Sequence, residues 1–151
     1  MEPTGSSRYP PYLLRFLGAL ALLGVGAVHI DQYFDVHYDV VPVIGTLFVL
    51  NLAGAAAIAL LLILPTERFL GDAGPVAIGL LALAGIGLAL TSGAFLLVSE
   101  HTPLFGFMEN GYRTAIVLSF IAEGATVILL GSYLVALVAR GGSQAPARSF
   151  T

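Results

Sequence analysis

Four long apolar runs are the feature that most restricts how this chain can fold. Each run can cross a bilayer, because a helix needs about 20 apolar residues to span about 30 Å of hydrocarbon. The runs do not alternate between apolar and polar residues as the strands of a membrane barrel do, so only helices fit them. The predicted helices cover residues 12–33, 43–64, 76–98 and 114–139.

Proline, glycine and charge bound each run. Pro42 and Pro75 stand where helices begin, and a proline costs no hydrogen bond there because the first N–H groups of a helix have no intrahelical partner. Arg140 and the two glycines after it end the fourth run. Since the connections are short, consecutive helices should form hairpins. The sequence therefore predicts an all-α fold, an integral membrane bundle of four antiparallel helices.

The composition agrees with lipid as the solvent. Hydrophobic residues make up 58% of the chain and charged residues only 10%, whereas a soluble domain carries about 25% charged residues. Cysteine is absent, which excludes disulfides, thiolate metal sites and covalent haem attachment. The net charge is -3 and the arginines are scattered, so nucleic acid is not expected as a partner.

The arginines predict which side of the membrane each end faces. Lysine is absent, so the six arginines are the fixed positive side chains. Arg113 lies in an outer loop, and the other five lie in the tails, close to the tails or in the middle loop. Positive loops stay in the cytoplasm, which predicts that both termini are cytoplasmic. Abundant Ala, Gly, Leu and Arg without Lys is typical of a GC-rich bacterial genome and indicates a bacterial inner membrane. Residues 1–11 and 141–151 are predicted as cytoplasmic tails, the second of them flexible.

A layer of polar residues is predicted within the outer half of the bundle. Glu123 lies ten residues after Arg113 and seventeen before Arg140, which places it well inside the hydrocarbon. Ionisable groups at that depth are expensive and usually mark a function. The other members of the layer, at similar depth or nearer the outer end, are Asn51, Thr91, Ser92 and His29.

Three interpretations of this layer remain open. In the first, Glu123, Asn51 and Thr91 hydrogen-bond one another and fix the helix register. In the second, the layer forms a small pocket open to the outer side, with Glu123 as a proton acceptor or ligand anchor and His29 at the mouth. In the third, Glu123 faces a partner subunit.

The outer loops carry imidazole and carboxylate groups, which suit zinc, copper or iron. The candidate ligands are His37, Asp35, Asp39 and His101. Outer loops are also acidic simply because positive charge stays inside, so this alternative is kept. His29 is the one histidine within an apolar run, so a single chain does not offer two axial histidines to a haem, and the sequence requires no cofactor.

The second outer loop is unusually apolar. It contains Leu104-Phe105-Gly106-Phe107-Met108, which is too apolar for a freely solvated loop. We expect it to lie in the membrane interface as an anchor, or to fold over the bundle mouth as a lid or docking surface.

Several segments stand out along the chain: Gly26-Ala27-Val28-His29, Val41-Pro42-Val43-Ile44-Gly45-Thr46-Leu47-Phe48, Leu104-Phe105-Gly106-Phe107 with Glu109, and the helix of Glu123. Together they resemble small uncharacterised four-helix membrane proteins of actinobacteria. The resemblance covers most of the chain and implies that fold without an activity. A looser resemblance is to DoxX-like four-helix proteins, some of which accompany respiratory or thiosulfate-quinone oxidoreductases. It extends only to helix number, helix length and the Gly-rich first helix.

No catalytic residues are predicted. The sequence holds no nucleophile–base pair, phosphate loop, metalloprotease helix or nucleotide fingerprint. We therefore expect a non-catalytic accessory or anchor subunit of a larger membrane complex, such as a respiratory or redox complex. The expected partners are membrane lipid and either other membrane subunits or further copies of the chain. The alternatives are a site for a quinone, lipid or proton-coupled substrate in the polar layer, and an oligomeric channel or transporter.

Overall fold

The computed structural model describes residues 11–35, 37–109, 111 and 113–143. Its elements are α-helices and two 3-10 turns, with an isolated antiparallel bridge between Leu104 and Phe107. The helices are α1 (Pro11–Asp35), α2 (Pro42–Ile63), the short α3 (Glu67–Leu70), α4 (Gly74–Ser99) and α5 (Thr114–Ser143), and the 3-10 turns are Tyr38–Val40 and Gly71–Ala73.

Four of these helical stretches are long and apolar enough to cross a membrane. The predicted number of spanning helices is therefore confirmed, and the chain is a membrane-type helical bundle. Pro42 and Pro75 lie in the first turns of α2 and α4, where a missing N–H is harmless. Of the two predicted tails, residues 1–10 and 144–151 lie outside the described residues.

The long helices form a closed ring. α1 packs against α2 on one side and α5 on the other, while α4 completes the ring by packing against α5 and α2. α1 and α4 face each other across the bundle and touch much less. Every spanning helix therefore contributes to one shared interior.

Polar contacts mark the two ends of the bundle. At the Arg15 end, Arg15 Nη1 of α1 lies 3.1 Å from Glu67 Oε1 of α3. At the Tyr38 end, Tyr38 meets Glu109 and Arg113. The bundle thus has an Arg15 half and a Tyr38 half.

The half of the bundle towards the Arg15 end is tightly packed. Its core alternates small residues with large ones that fill the spaces between them. Gly18 shows how close the approach is, because a Cβ added there would lie 2.5 Å from Leu130 Cδ2. The buried core residues are Ala19, Leu22, Ala55, Ala59, Leu62, Ile78, Ala82, Leu130 and Tyr133.

Candidate functional site

A cavity of about 340 Å³ occupies the other half of the bundle, at the Tyr38 end. All four spanning helices and the segment 104–113 contribute to its wall. Volume and lining resemble those of sites for small molecules, which are mostly apolar with a few polar groups. The aromatic rings in the wall are Tyr38, Phe48, Phe95, Phe105 and Phe107, and its other uncharged polar side chains are His29, Gln32, Asn51, Thr91, Ser92, Ser99 and Ser119.

His29 is held in the wall by two hydrogen bonds and a ring contact. Its Nδ1 lies 2.8 Å from the carbonyl oxygen of Val25, one helical turn earlier. That carbonyl can only accept, so Nδ1 carries the proton and Nε2 is left as an acceptor. The hydroxyl of Ser92 therefore donates to Nε2 across 2.9 Å. Phe48 packs edge to face against the imidazole, with ring centroids 5.0 Å apart.

Two amide oxygens in the wall have no hydrogen-bond partner among the described residues. They are Asn51 Oδ1 in α2 and Gln32 Oε1 in α1, and both atoms are buried. Buried polar atoms in folded proteins are nearly always paired, and an unpaired one costs stability. Asn51 and Gln32 therefore each bring an unsatisfied acceptor to the residues that line the cavity.

A cluster of three side chains closes the end of the cavity. The Tyr38 hydroxyl donates to Glu109 Oε2 at 2.6 Å and accepts from Arg113 Nη2 at 2.8 Å. The same Arg113 nitrogen lies 2.9 Å from Glu109 Oε2, which completes an ion pair. Tyr38 is only 5% exposed, and its ring packs edge to face on Phe48 and on Phe107, with centroids 5.0 Å apart in each case. We call Tyr38, Glu109 and Arg113 the cover cluster.

Local backbone geometry brings Tyr38 onto the bundle. His37 adopts a left-handed conformation with φ of 61°, which turns the chain into the 3-10 turn that carries Tyr38. Gly45 in α2 allows this turn to lie close, because a Cβ there would come within 2.7 Å of the Tyr38 carbonyl oxygen. A glycine is needed at this position for steric reasons.

The second loop folds back over the bundle by a tight turn. Leu104 and Phe107 exchange backbone hydrogen bonds of 2.6 and 2.8 Å, and Phe105 and Gly106 between them have positive φ angles of 51° and 82°. The Glu109 amide then donates to the Ser99 carbonyl at 2.9 Å. Leu104 and Phe107 consequently line the cavity, while the Phe105 residue remains 58% exposed.

Burial and charge both act on the cover cluster. Burial, and then the hydrogen bond to Glu109, raise the pKa of Tyr38 above its usual value, while Arg113 opposes the rise. Burial by itself would lower the pKa of Arg113, but the hydrogen bond to Glu109 reverses this and raises it. The cluster therefore keeps a neutral phenol beside a charged pair.

Glu123 lies behind the cavity wall, on the face of α5 that meets α4. The residue is only 4% exposed, and its carboxyl fits beside Gly93, where a Cβ would lie 2.8 Å from Oε2. Neither carboxyl oxygen has a hydrogen-bond partner among the described residues. The Ser92 side chain lies beside the carboxyl without completing a hydrogen bond in this conformation.

The structure brings most of the predicted polar layer together. Four of its members line the cavity. Glu123 does not line it and lies beside one of the four, Ser92. The hydrogen-bonded core of the first interpretation is not present, since Asn51 Oδ1 and both Glu123 oxygens lack partners within the described residues. The four lining members are His29, Asn51, Thr91 and Ser92.

The candidate metal ligands are not gathered in the structure. Within the described ranges, no group of three or more His, Asp or Glu side chains is arranged to hold a metal ion. His37 and His101 are exposed, and His101 Nδ1 bonds the Leu97 carbonyl at 2.9 Å instead. Asp35, His37 and Asp39 would share one face of an extended segment, but α1 ends at Asp35 and a 3-10 turn begins at Tyr38, so they do not share a face.

Sequence reasoning missed the cover cluster. The sequence places Tyr38 only among the aromatic residues of the outer interface, and Arg113 stands out in it only as the arginine of an outer loop. A usable signal existed, because Glu109 and Arg113 are four residues apart in a chain that is only 10% charged. Their pairing with Tyr38, 71 and 75 positions earlier in the chain, depends on how the loops fold.

Comparison with known proteins finds no matching protein family, no matching curated protein and no matching solved structure. Functional inference for this bundle therefore rests on the cavity and the residues around it.

Proposed function

We propose that this chain is a multi-pass membrane protein that binds a small, mostly apolar molecule with a hydrogen-donating polar end. The observation that carries the proposal is the pair of unpaired oxygens, Asn51 Oδ1 and Gln32 Oε1, in a mostly apolar cavity of about 340 Å³. A bound hydroxyl or amine would satisfy them and remove the energetic cost of leaving two buried oxygens unpaired.

The ligand class follows from the shape and polarity of the wall. Aromatic rings on several sides suit a flat ring, which can stack or pack edge to face on them. The unpaired oxygens are acceptors, so the polar end of the ligand should carry hydroxyl groups. A hydroquinone head group has both properties, and its apolar tail would extend towards lipid. A quinol is therefore our first choice over a lipid head group.

Orientation in the membrane is part of the proposal. Short connections favour antiparallel neighbours, and the arginine distribution favours cytoplasmic termini in a bacterial inner membrane, with the cavity on the outer side. Because the chain has no cysteine, His37→Cys and Asp72→Cys give single reactive sites. A membrane-impermeant maleimide added to intact cells should label the first variant and spare the second. The opposite pattern would reverse the proposed orientation.

Ligand binding can be tested directly on the purified protein. The chain contains no tryptophan, so its intrinsic fluorescence comes from tyrosines, and Tyr38 lines the cavity. Decylubiquinol kept under reductant should quench this fluorescence saturably. Asn51→Leu should weaken binding at least tenfold, because it removes an oxygen and fills space. That factor corresponds to about 1.4 kcal/mol, which is within the range for one buried hydrogen bond.

The matched control lies on the same helix. Ala57 is exposed in α2 and does not line the cavity, so Ala57→Leu adds similar bulk without touching the site. It should bind as the unmodified protein does. Saturable binding that survives Asn51→Leu, or no saturable quenching at all, would contradict the proposed site.

The other functions remain predictions. The accessory or anchor role is compatible with a bound quinol, and co-purification from the native membrane would test it. A channel within one chain would need an open path through the Arg15 end of the bundle. Leu22, Leu62 and Leu130 are fully buried there, which favours a binding site closed at one end over a pore within one chain.

A further inference from the structure

The spanning helices contain very few groups that exchange protons. α2 and α4 have no Asp, Glu, Lys, Arg, His or Tyr. Away from the helix ends, the carboxyl and imidazole groups of the spans are Glu123 in α5 and His29 in α1. Ser92 of α4 is hydrogen-bonded to His29, and the next residue, Gly93, lies against the Glu123 carboxyl. Ionisable groups within a membrane are expensive to keep, so this juxtaposition requires an explanation.

The donor and acceptor roles of the three side chains allow hydrogen bonds that all run in one direction, from Glu123 to Ser92 to His29. His29 donates from Nδ1 to Val25, so its Nε2 accepts the proton of the Ser92 hydroxyl. The Ser92 oxygen then has lone pairs left for another donor. The carboxyl of Glu123 lies beside it and is buried without a partner. In its neutral form, after a small rotation, this carboxyl can donate to Ser92.

We propose that Glu123, Ser92 and His29 form a proton relay between a carboxyl stored behind the wall and an imidazole in the wall. In the transfer, the O–H bond of Glu123 breaks and its proton binds Ser92 Oγ, while the original Ser92 proton moves to His29 Nε2. The products are a carboxylate, an intact hydroxyl and an imidazolium. The net charge is unchanged, and the reverse transfer restores the starting state.

Gly93 leaves the space in which the Glu123 carboxyl lies. A side chain at this position of α4 would occupy the space of the Glu123 carboxyl, since the Cβ would lie 2.8 Å from Oε2. Glycine follows Ser92 directly, so the same turn of α4 supplies both the hydroxyl of the relay and the room for its carboxyl. Gly93→Ala should therefore displace the carboxyl from Ser92.

The link from the relay to a ligand rests on the proposed quinol site. His29 and Ser92 both line the cavity, so the wall next to the ligand can take up or release a proton. The other titratable groups that face the cavity are Tyr38, Glu109 and Arg113, and they are already bonded to one another. α2 and α4 contribute none. Binding of a molecule with ionisable hydroxyls next to His29 should then shift the proton along the relay and change the protonation of Glu123.

The relay can be tested without a ligand. The infrared C=O stretch of a neutral buried carboxyl should be present in the full-length protein in lipid and disappear in Glu123→Gln. Ser92→Ala and Gly93→Ala should each shift the band. Thr91→Val removes the neighbouring hydroxyl of α4, which also lines the cavity, and should leave the band in place. Absence of a band that Glu123→Gln removes, or equal shifts in Ser92→Ala and Thr91→Val, would overturn the relay.

A second measurement separates the relay from the ligand site. Decylubiquinol should change the intensity of the Glu123 C=O band in proportion to the sites filled, and Glu123→Gln should abolish that change. Saturable quinol binding without any change in this band would overturn the relay and leave the binding site standing. A band that responds to Ser92→Ala in a protein that binds no quinol would contradict the proposed function and support the relay.

Discussion

The two halves of the bundle differ in how closely their helices pack. Towards the Arg15 end the helices approach until no space remains, as the Gly18–Leu130 contact shows. Towards the Tyr38 end, the same helices leave a cavity of about 340 Å³ between them. The same four helices therefore form a solid base and a hollow chamber.

This difference shows how a small membrane protein can be stable and still contain a binding cavity. Lipid supplies no hydrophobic force between helices, so close packing must hold them together. The packed half does this with small residues and buried leucines. The hollow half has fewer such contacts and is instead closed by the cover cluster, in which Tyr38 is bonded to Glu109 and Arg113.

One substitution in each half of the bundle tests the difference in packing most directly. Leu130 is fully buried in the packed core, so Leu130→Ala should lower the free energy of unfolding by about 3 kcal/mol through lost contacts and a new void. Leu47 lines the existing cavity, so Leu47→Ala only enlarges it and should cost about 1 kcal/mol. Denaturant unfolding in a fixed detergent measures both.

Equal losses in these two variants would show that the cavity wall is packed as tightly as the base. The comparison between a solid half and a hollow half would then be wrong.

A smaller effect is expected at the cover cluster. Tyr38→Phe keeps the ring contacts and removes the hydroxyl that bonds Glu109 and Arg113. The cost should be about 1 kcal/mol, since the ion pair between the two partners remains. Protease sensitivity of the segment 100–109 should rise at the same time, because the second loop loses one of its attachments. Unchanged sensitivity would show that the cluster does not hold the loop.

The pH dependence of the stability of Tyr38→Phe gives a second test of the cover cluster. The folded state raises the pKa of Tyr38 above its usual 10.0, through burial first and then Glu109. Its contribution to stability is therefore complete below about pH 10 and is lost as the pH rises towards the folded pKa. Tyr38→Phe should lack this alkaline loss, whereas Tyr12→Phe, at the exposed start of α1, should retain it. Identical alkaline slopes in both variants would contradict this account.

Depth along a helix was predictable from the chain. Hydrophobic length determines which segments can span a bilayer, and the constant rise per residue determines how deep each polar residue lies. For this reason His29, Asn51, Thr91 and Ser92 could be assigned to one layer, and the structure places them around one cavity. Both properties are local, so no knowledge of neighbouring helices was needed.

The sequence by itself determined that four helices exist, where proline starts two of them and which polar groups share a level. Only the tertiary structure decided that Glu123 lies behind the wall beside Ser92, and that Tyr38 reaches across to Arg113. Helix rotation and loop folding depend on contacts between residues far apart in the chain, such as Gly45 with the Tyr38 turn. Hydropathy and spacing carry no information about those contacts, because they describe a helix along its axis and not around it.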